Sequence, residues 1–147
     1  RRIIAPASGP RHGGYILWQA SESPEAITIG TGAEVHIALE AGRLLKENGI
    51  GTRVVSLPSW ELFDAQPPDY RNKVLPPGLR VRVSIEASTP LGLERYVGLD
   101  GKAIGLSRFG ASAPGKVIYQ QLGLTAQRVK DEVVQTLEGR SYWGPAT

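Results

Sequence analysis

Residues 26–49 read AITIGTGAEVHIALEAGRLLKENG and set the architecture predicted for the whole chain. A β-branched run from Ala26 to Ile29 precedes two glycines, after which apolar residues recur at the spacing of a helix. Glu34 falls in the first predicted turn and Lys46 in the last, where each complements the helix dipole. Gly49 suits the left-handed residue that ends a helix. The segment is therefore predicted to be a β-loop-α unit.

The turn at Gly30-Thr31-Gly32 has the first two glycines of the dinucleotide fingerprint G-x-G-x-x-G. Val35 stands where the third glycine should be, so the fingerprint fails. Exposed amides at a helix N-terminus can still bind an anion. Two interpretations stay open, an anion site and a tight turn without a ligand.

The chain has 147 residues, which fit one domain, and it has no cysteine and no methionine. The lack of cysteine excludes disulfides, a thiolate catalyst and a cysteine zinc site. The lack of methionine at the first position predicts a fragment of a longer protein. No apolar run reaches the roughly 20 residues of a membrane span, and no signal peptide is evident. We expect a soluble, cytoplasmic protein that does not contact a membrane.

The net charge of +3 comes from the first residues of the chain. Removing Arg1, Arg2 and Arg11 from the 17 basic residues leaves 14, which equals the number of acidic residues. The rest of the chain is therefore neutral, which does not favour a nucleic-acid partner. The composition predicts a linker at 1–12, a domain at 13–139 and a C-terminal extension at 140–147.

Further strands alternate with helices along the chain. The predicted strands are Tyr15–Trp18, Thr52–Leu57, Arg80–Glu86 and Lys102–Leu106, and the predicted helical segments are Trp60–Phe63, Pro67–Leu75, Leu91–Val97, Gly115–Leu122 and Thr125–Gly139. The first strand is too close to the second for a crossover helix, so these two are antiparallel or not adjacent. The alternation predicts a mainly parallel sheet with helices on both faces.

Ligands of such sheets bind beyond the carboxyl ends of the strands. The residues predicted at that edge are Thr31, Ser59, Trp60, Glu86, Ser88, Thr89 and Arg108. Glu86 and Arg108 could pair with each other or orient a substrate. Because Glu34 and Glu86 oppose an incoming anion, we expect at most weak, salt-sensitive anion binding. Its candidate residues are Gly30, Thr31, Gly32, Ser59, Ser88 and Arg108.

Catalytic patterns are missing from the sequence. His12 and His36 have no partners nearby in sequence and are interpreted as packing or surface residues. No G-x-S-x-G nucleophile elbow and no metal-ligand spacing occur. Trp60 could stack on a ligand, although its spacing from Phe63 is more typical of packing.

Four segments, in this order, resemble the C-terminal domain of transketolase. They are IGTGAEV at 29–35, VSLPSWELFDAQP at 55–67, ERYVG at 94–98 and RFGASAP at 108–114, and the resemblance covers about residues 13–137. The chain departs from the usual family phrase at Ala33, where serine is common, and Thr89-Pro90 lies where the family varies.

The resemblance implies a three-layer α/β/α domain with a five-stranded mixed, mostly parallel sheet. It also implies a parent enzyme of the pentose phosphate pathway that moves a two-carbon ketol unit between sugar phosphates. The parent would use thiamine diphosphate and a divalent metal, Mg²⁺ or Ca²⁺, held by upstream domains across a homodimer interface. The resemblance therefore assigns no catalytic, cofactor or metal residue here, and it implies a fragment inactive by itself that contributes to dimer assembly and regulation.

Other functions stay open at this point. One is a stand-alone anion- or nucleotide-binding α/β module that uses the glycine turn. Another is the same domain from a related thiamine-dependent enzyme. Of pyruvate dehydrogenase, deoxyxylulose phosphate synthase and dihydroxyacetone synthase, the motifs leave only dihydroxyacetone synthase as an alternative.

Overall fold

A five-stranded mixed sheet forms the centre of the computed structural model, which describes residues 12–31, 34–86, 94–98, 101–105 and 126–142. The strands are β1 (Tyr15–Gln19), β2 (Ala26–Gly30), β3 (Thr52–Ser56), β4 (Arg82–Glu86) and β5 (Lys102–Gly105). The helices are α1 (Val35–Glu47), α2 (Trp60–Asp64), α3 (Pro68–Val74), α4 (Glu94–Val97) and α5 (Ala126–Tyr142). The predicted helix at 115–122 and the cap at Thr125 lie outside the described residues.

The strand order is β1-β3-β2-β4-β5. Strand β2 is parallel to both β3 and β4, and β4 is parallel to β5. Strand β1 pairs antiparallel with β3, with a register shift between Ile16 and Trp18. The prediction that the first strand is antiparallel or not adjacent to the second is confirmed. The short β1–β2 connection allows the chain to reverse but leaves no room for a crossover helix.

Each face of the sheet carries its own apolar core. On one face α1 and α5 pack over a cluster that includes Leu45, Val83 and Val129. On the other face the short helices α2 to α4 pack over a cluster that includes Ile29 and Phe63. The predicted three-layer α/β/α architecture is therefore confirmed.

Strand β4 begins two residues later than predicted, at Arg82. The alternation in this segment predicted a second face that is exposed or covered by polar groups. The structure buries it: Ser84 is fully buried, and Arg82 is half-buried among carbonyl groups. Its guanidinium donates hydrogen bonds to the carbonyl oxygens of Leu75, Pro76, Leu79 and Tyr96, at 3.3, 2.6, 2.8 and 2.8 Å. The Arg82 guanidinium thus faces carbonyl groups of the chain instead of water alone.

Most helix boundaries follow their local signals. Gly49 follows α1 with φ of +80°, and the Ser59 hydroxyl accepts a hydrogen bond from the Leu62 amide at 3.3 Å as the cap of α2. Two predictions are wrong in detail. Glu34 occupies the N-cap position of α1 instead of its first turn, and its side chain makes no capping bond. Helix α5 continues past Gly139 to Tyr142, since an interior glycine costs a helix only about 1 kcal/mol.

Among the described helices, none is both long and apolar enough to cross a membrane.

Candidate functional site

The candidate site lies at the ends of two neighbouring strands that are followed by helices on opposite faces of the sheet. Strands β2 and β4 are neighbours, but β2 leads to α1 on one face, and the next described helix after β4, α4, packs on the opposite face. Connections that diverge in this way leave a crevice at the carboxyl ends of the strands, where open α/β sheets bind their ligands.

A cleft of about 480 Å³ occupies this position. It is lined by residues that follow β2, β3 and β4, namely Thr31, Glu34, Leu57, Pro58, Ser59, Trp60, Glu61 and Glu86. Four of the residues predicted at this edge are therefore brought together in one cleft. Of the others, Gly32, Ser88, Thr89 and Arg108 lie outside the described residues.

A side-chain hydrogen bond joins the ends of the neighbouring strands β2 and β4. The Thr31 hydroxyl donates to Oε1 of Glu86 at 2.7 Å. Thr31 is only 8% exposed, whereas Glu86 is half-buried and also lines the cleft. The bond uses one carboxylate oxygen and leaves other acceptor positions of Glu86 for a further donor.

Gly30 has a packing role at the end of β2. A Cβ atom at this position would lie 2.5 Å from the Cα atom of Val35 and 2.9 Å from its nitrogen. The start of α1 therefore approaches the strand too closely for any other residue. This geometry supports the tight-turn interpretation of the glycine motif.

The charged residues in the described lining are all acidic. Glu34 is 6% exposed, Glu86 is half-buried and Glu61 is exposed, and none of the described lining residues is lysine or arginine. Glu61 was not among the predicted edge residues. Its position in the segment after β3 could have indicated it, because residues that follow parallel strands lie at the carboxyl edge of the sheet.

The histidines and aromatic residues singled out in the sequence have different environments. His12 stacks on Tyr70 with ring centroids 4.6 Å apart, and Phe63 is 2% exposed. Trp60 is half-buried and lies 6.3 Å from the Tyr96 ring, centroid to centroid, while it also lines the cleft. His36 is exposed on α1. The packing interpretation of His12 and Phe63 therefore holds, and Trp60 combines packing with a place at the site.

Comparison with known proteins places this geometry in a family. A model of the transketolase-like C-terminal domain matches residues 13–125. The chain belongs to the transketolase C-terminal domain family. A chloroplastic transketolase from Craterostigma plantagineum is 49% identical over 123 residues, which cover 82% of this chain and 24% of the relative. A transketolase from Aquifex aeolicus is 41% identical over 135 residues, covering 92% of this chain and 20% of the relative.

The solved structure of transketolase from Leishmania mexicana matches with a TM-score of 0.82 and 36% identity, over 92% of this chain and 19% of that one. This structural match confirms the fold that the sequence resemblance implied, that of a transketolase C-terminal domain. The chain spans about a fifth of the length of these transketolases.

The resemblance implies thiamine diphosphate with a divalent metal, and the described residues of the cleft do not match that group. Thiamine diphosphate carries an anionic diphosphate, whereas the cleft presents three glutamates to a ligand. In the part of the chain that the structure describes, no three His, Cys, Asp or Glu side chains are grouped to hold a metal ion. The residues described do not fit a metal-bound diphosphate, and no reaction step is derived from them.

Proposed function

We propose that this transketolase C-terminal domain has no turnover by itself and acts by supporting the assembly of its parent enzyme. The parent would transfer a two-carbon ketol unit between sugar phosphates, with thiamine diphosphate and a divalent metal bound by its other domains. The observation that carries this proposal is the acidic lining of the cleft at the carboxyl edge. Three glutamates would repel both the diphosphate of the cofactor and the phosphate of the sugars.

The beginning of the domain is packed against its own short helices at residues 12–14. The Gly13 carbonyl accepts a hydrogen bond from the Ser59 amide at 3.0 Å, and the Gly14 carbonyl accepts one from the Tyr70 hydroxyl at 2.8 Å. Gly13 has φ of +78°, and a Cβ there would lie 2.4 Å from the Phe63 nitrogen. The chain thus enters the domain in one orientation, which supports a domain boundary at residue 13.

The same proposal extends to the assembly and location of the parent. We infer that the domain contributes to a homodimer and that regulation acts through it, in a cytoplasmic enzyme. Both relatives described above bear the name transketolase, which favours a transketolase parent over dihydroxyacetone synthase. One of them is named as chloroplastic, so the compartment differs within the family.

The inactivity of the fragment is tested by calorimetry and by a coupled ketol-transfer assay on the 147-residue chain. We expect no turnover and no heat of binding with thiamine diphosphate and Mg²⁺. Saturable binding in the micromolar range would contradict the assignment of cofactor chemistry to other domains.

The supporting role is tested by grafting residues 13–139 in place of the corresponding part of the Aquifex aeolicus transketolase. At 41% identity between the two domains, we expect the graft to form an active enzyme. Removal of the same part without replacement is the control, and we expect it to lower both activity and assembly. An enzyme that keeps full activity without the domain would contradict the proposal.

The weaker alternative, anion binding at the glycine turn, has its own measurement. Phosphate titration is followed by the amide chemical shifts of Gly30 and Thr31. We expect no selective change at submillimolar phosphate, because Glu34 and Glu86 lie at the same edge. Selective shifts there and at Arg108 would favour the anion site.

A further inference from the structure

We propose that Asn48 is a site of spontaneous chemical modification, at which the backbone amide of Gly49 displaces the side-chain amide of Asn48. The product is an aspartate or an isoaspartate residue at the end of α1. The last turn of this helix controls the rate, because the reaction requires that turn to open. This inference does not depend on the function proposed above.

The chain has two asparagines, Asn48 and Asn72, and both are exposed. Gly49 follows Asn48, whereas Asn72 lies within α3 and precedes a lysine. Glycine has no Cβ atom, so its backbone nitrogen is the least hindered nucleophile that a following residue can supply. A Cβ placed on Gly49 would meet no atom of the described chain within 4 Å, and the residue is exposed to solvent. Of the two asparagines, Asn48 is therefore the one suited to this reaction.

The peptide bond between Asn48 and Gly49 lies inside the motif that ends α1. The Gly49 amide donates a hydrogen bond to the Lys46 carbonyl at 3.0 Å. The Ile50 amide donates to the Leu45 carbonyl at 2.9 Å. These two bonds around a glycine with φ of +80° form a Schellman motif, in which the residue after the glycine also makes an apolar contact with the helix. Ile50 provides that contact, since it packs against the apolar cluster that contains Leu45.

The closed motif protects the site. Nδ2 of Asn48 donates to the Leu44 carbonyl at 3.1 Å, so the side-chain amide is directed back along the helix. Ring closure needs the Gly49 nitrogen on the same side of the Cα–C bond as Cβ of Asn48. With ψ of Asn48 at 12°, the Gly49 nitrogen instead eclipses the backbone nitrogen of Asn48. The attack therefore requires the last turn of α1 to open, as helix ends do at free energies well below that of global unfolding.

The reaction needs water as its only other reactant. The Gly49 nitrogen forms a bond to Cγ of Asn48, and the bond from Cγ to Nδ2 breaks. The proton of the Gly49 amide passes through solvent to the departing ammonia. Water then opens the five-membered imide at Cγ to give aspartate, or at the backbone carbonyl carbon to give isoaspartate, whose main chain runs through Cβ and Cγ. One water is consumed, one ammonia is released and nothing is oxidised. The nucleophile and the carbonyl belong to adjacent residues, and such an intramolecular attack proceeds without a catalyst.

Either product weakens the end of α1. A carboxylate cannot donate to the Leu44 carbonyl, and its negative charge lies at the negative end of the helix dipole. Isoaspartate also lengthens the main chain between Leu45 and Ile50, whose hydrogen bond closes the motif. The modification therefore favours the same opening that the reaction requires.

The site is tested by ageing the 147-residue chain in mildly alkaline buffer. Peptide mapping by mass spectrometry with electron-transfer fragmentation follows Asn48 and Asn72 separately and distinguishes aspartate from isoaspartate. The map also separates the signal from Asp100, which precedes a glycine as well. We expect Asn48 to convert at least about tenfold faster than Asn72, with isoaspartate among the products. Equal conversion of the two asparagines, no conversion of Asn48, or aspartate without isoaspartate would overturn the proposal.

Two variants separate the chemistry from the opening of the helix end. Gly49→Ala places a Cβ on the attacking residue and should slow conversion at least about tenfold, both in the folded chain and in urea. Ile50→Ala keeps the reacting peptide but removes the apolar contact of the motif. It should speed conversion about fivefold in the folded chain and leave the rate in urea unchanged, because the folded rate follows the population of the open form.

The matched control for Ile50→Ala is Ile16→Ala, since Ile16 is also partly buried but packs against the cluster on the other face of the sheet. We expect this control to leave the conversion of Asn48 nearly unchanged. If Ile16→Ala accelerated conversion as much as Ile50→Ala, or if Ile50→Ala had the same effect in urea, the last turn of α1 would not control the reaction and the proposal would be wrong.

The consequence for α1 is measured by hydrogen exchange. Asn48→Asp reproduces the charge of one product, and the isoaspartate form purified from the aged chain adds the longer main chain. We expect the Ile50 amide to exchange severalfold faster in Asn48→Asp than in the unchanged chain, and faster again in the isoaspartate form. Equal protection of this amide in all three forms would overturn the proposed effect on the helix end.

Discussion

The two faces of the sheet are stabilised in different ways. Helices α1 and α5 have 13 and 17 residues and cover their face with aliphatic side chains. Helices α2, α3 and α4 have 5, 7 and 4 residues, and isolated helices of that length are unstable in water. On this second face, two arginines from the sheet bind the helix-end carbonyls. The long helices are held mainly by apolar contacts, whereas carbonyl groups of α3 and α4 are bound by arginines of the sheet.

Arg53 and Arg82 provide those contacts. Arg82 bonds carbonyl groups in α4, at the end of α3 and in the segment that follows α3. Arg53 donates to the carbonyls of Lys73 and Val74 at 2.8 and 3.1 Å. Burial lowers the pKa of both guanidinium groups below the ordinary value, because the charged form loses water. Since the unperturbed value is far above neutrality, both remain charged hydrogen-bond donors.

The largest expected effect follows from removing one arginine. Arg82→Met keeps the length of the side chain but leaves four carbonyl groups without their donor. At about 1 kcal/mol for each lost bond, we expect the free energy of unfolding to fall by about 4 kcal/mol, measured by urea titration.

Arg43→Met is the control on the opposite side of the sheet. Arg43 lies on the exposed side of α1 and makes only an exposed contact with Glu40 at 3.8 Å, so the expected loss is below about 0.5 kcal/mol. Hydrogen exchange should show α3 losing protection first in Arg82→Met. A loss spread evenly over both faces would contradict the difference described above.

The sequence indicates local features better than contacts between residues that are far apart in the chain. The β-loop-α unit, the position of β1 and the Ser59 cap depend on neighbouring residues, and the structure has all three. The contacts of Arg82 depend on carbonyl groups up to 14 residues away, and alternation alone suggests a side chain facing solvent or a polar cover. Local patterns cannot show which helix ends will pack over a strand.

The candidate site divides in the same way. Thr31, Ser59, Trp60 and Glu86 were predicted at the edge because each follows or ends near a strand. The hydrogen bond between Thr31 and Glu86 joins residues 55 positions apart and depends on strand order. A local window of the sequence cannot show it. The expected pair between Glu86 and Arg108 stays a prediction, since Arg108 lies beyond the described ranges.

The second prediction tests the aliphatic face. Leu45 of α1 is fully buried in the first cluster, so Leu45→Ala leaves a cavity. Alanine is the best helix former, and any loss therefore comes from packing. We expect the free energy of unfolding to fall by about 3 kcal/mol.

The measurement is again urea unfolding, with hydrogen exchange to locate the change. The matched control is Leu44→Ala, since Leu44 lies one position along the same helix and is only half-buried. We expect the control to lose about half as much. If Leu45→Ala reduced protection in α3 before α1, the two faces would not be separate units.

The third prediction concerns pH and the second face. Burial raises the pKa of Tyr70 above the ordinary 10.0, because the phenolate would lose water. A group with a raised pKa in the folded state contributes stability that is complete below the unfolded value and is lost as pH rises through the folded one. We therefore expect stability to fall above about pH 10 in part through Tyr70.

Tyr70→Phe should reduce that alkaline loss and cost about 1 kcal/mol at neutral pH, because the bond to the Gly14 carbonyl disappears. Unfolding followed by circular dichroism from pH 8 to 11 compares the two proteins, with Tyr15→Phe as a control on β1. If the alkaline loss were as steep in Tyr70→Phe as in the unchanged chain, the phenol of Tyr70 would have no part in it.

The smallest expected effect is at the cleft, where the connections to both faces begin. The Thr31 hydroxyl and the Glu86 carboxylate form a side-chain hydrogen bond between the ends of β2 and β4, in addition to the backbone pairing of these strands. Thr31→Val keeps the shape of the side chain and removes its donor. A double-mutant cycle with Glu86→Gln should give a coupling of about 1 kcal/mol, as expected for a hydrogen bond to a charged group near the surface.

The same cycle with Glu34→Gln in place of Glu86→Gln should give a coupling closer to zero, since the single proton of the Thr31 hydroxyl is donated to Glu86. The coupling should persist at high salt because Thr31 is almost fully buried and the bond is short. A coupling that vanishes in salt, or that is equal for both glutamates, would mean that Thr31 is coupled to the net charge of the cleft and not to Glu86 through a specific hydrogen bond. In that case the two faces would be joined through the sheet alone, and the cleft would contribute nothing to their alignment.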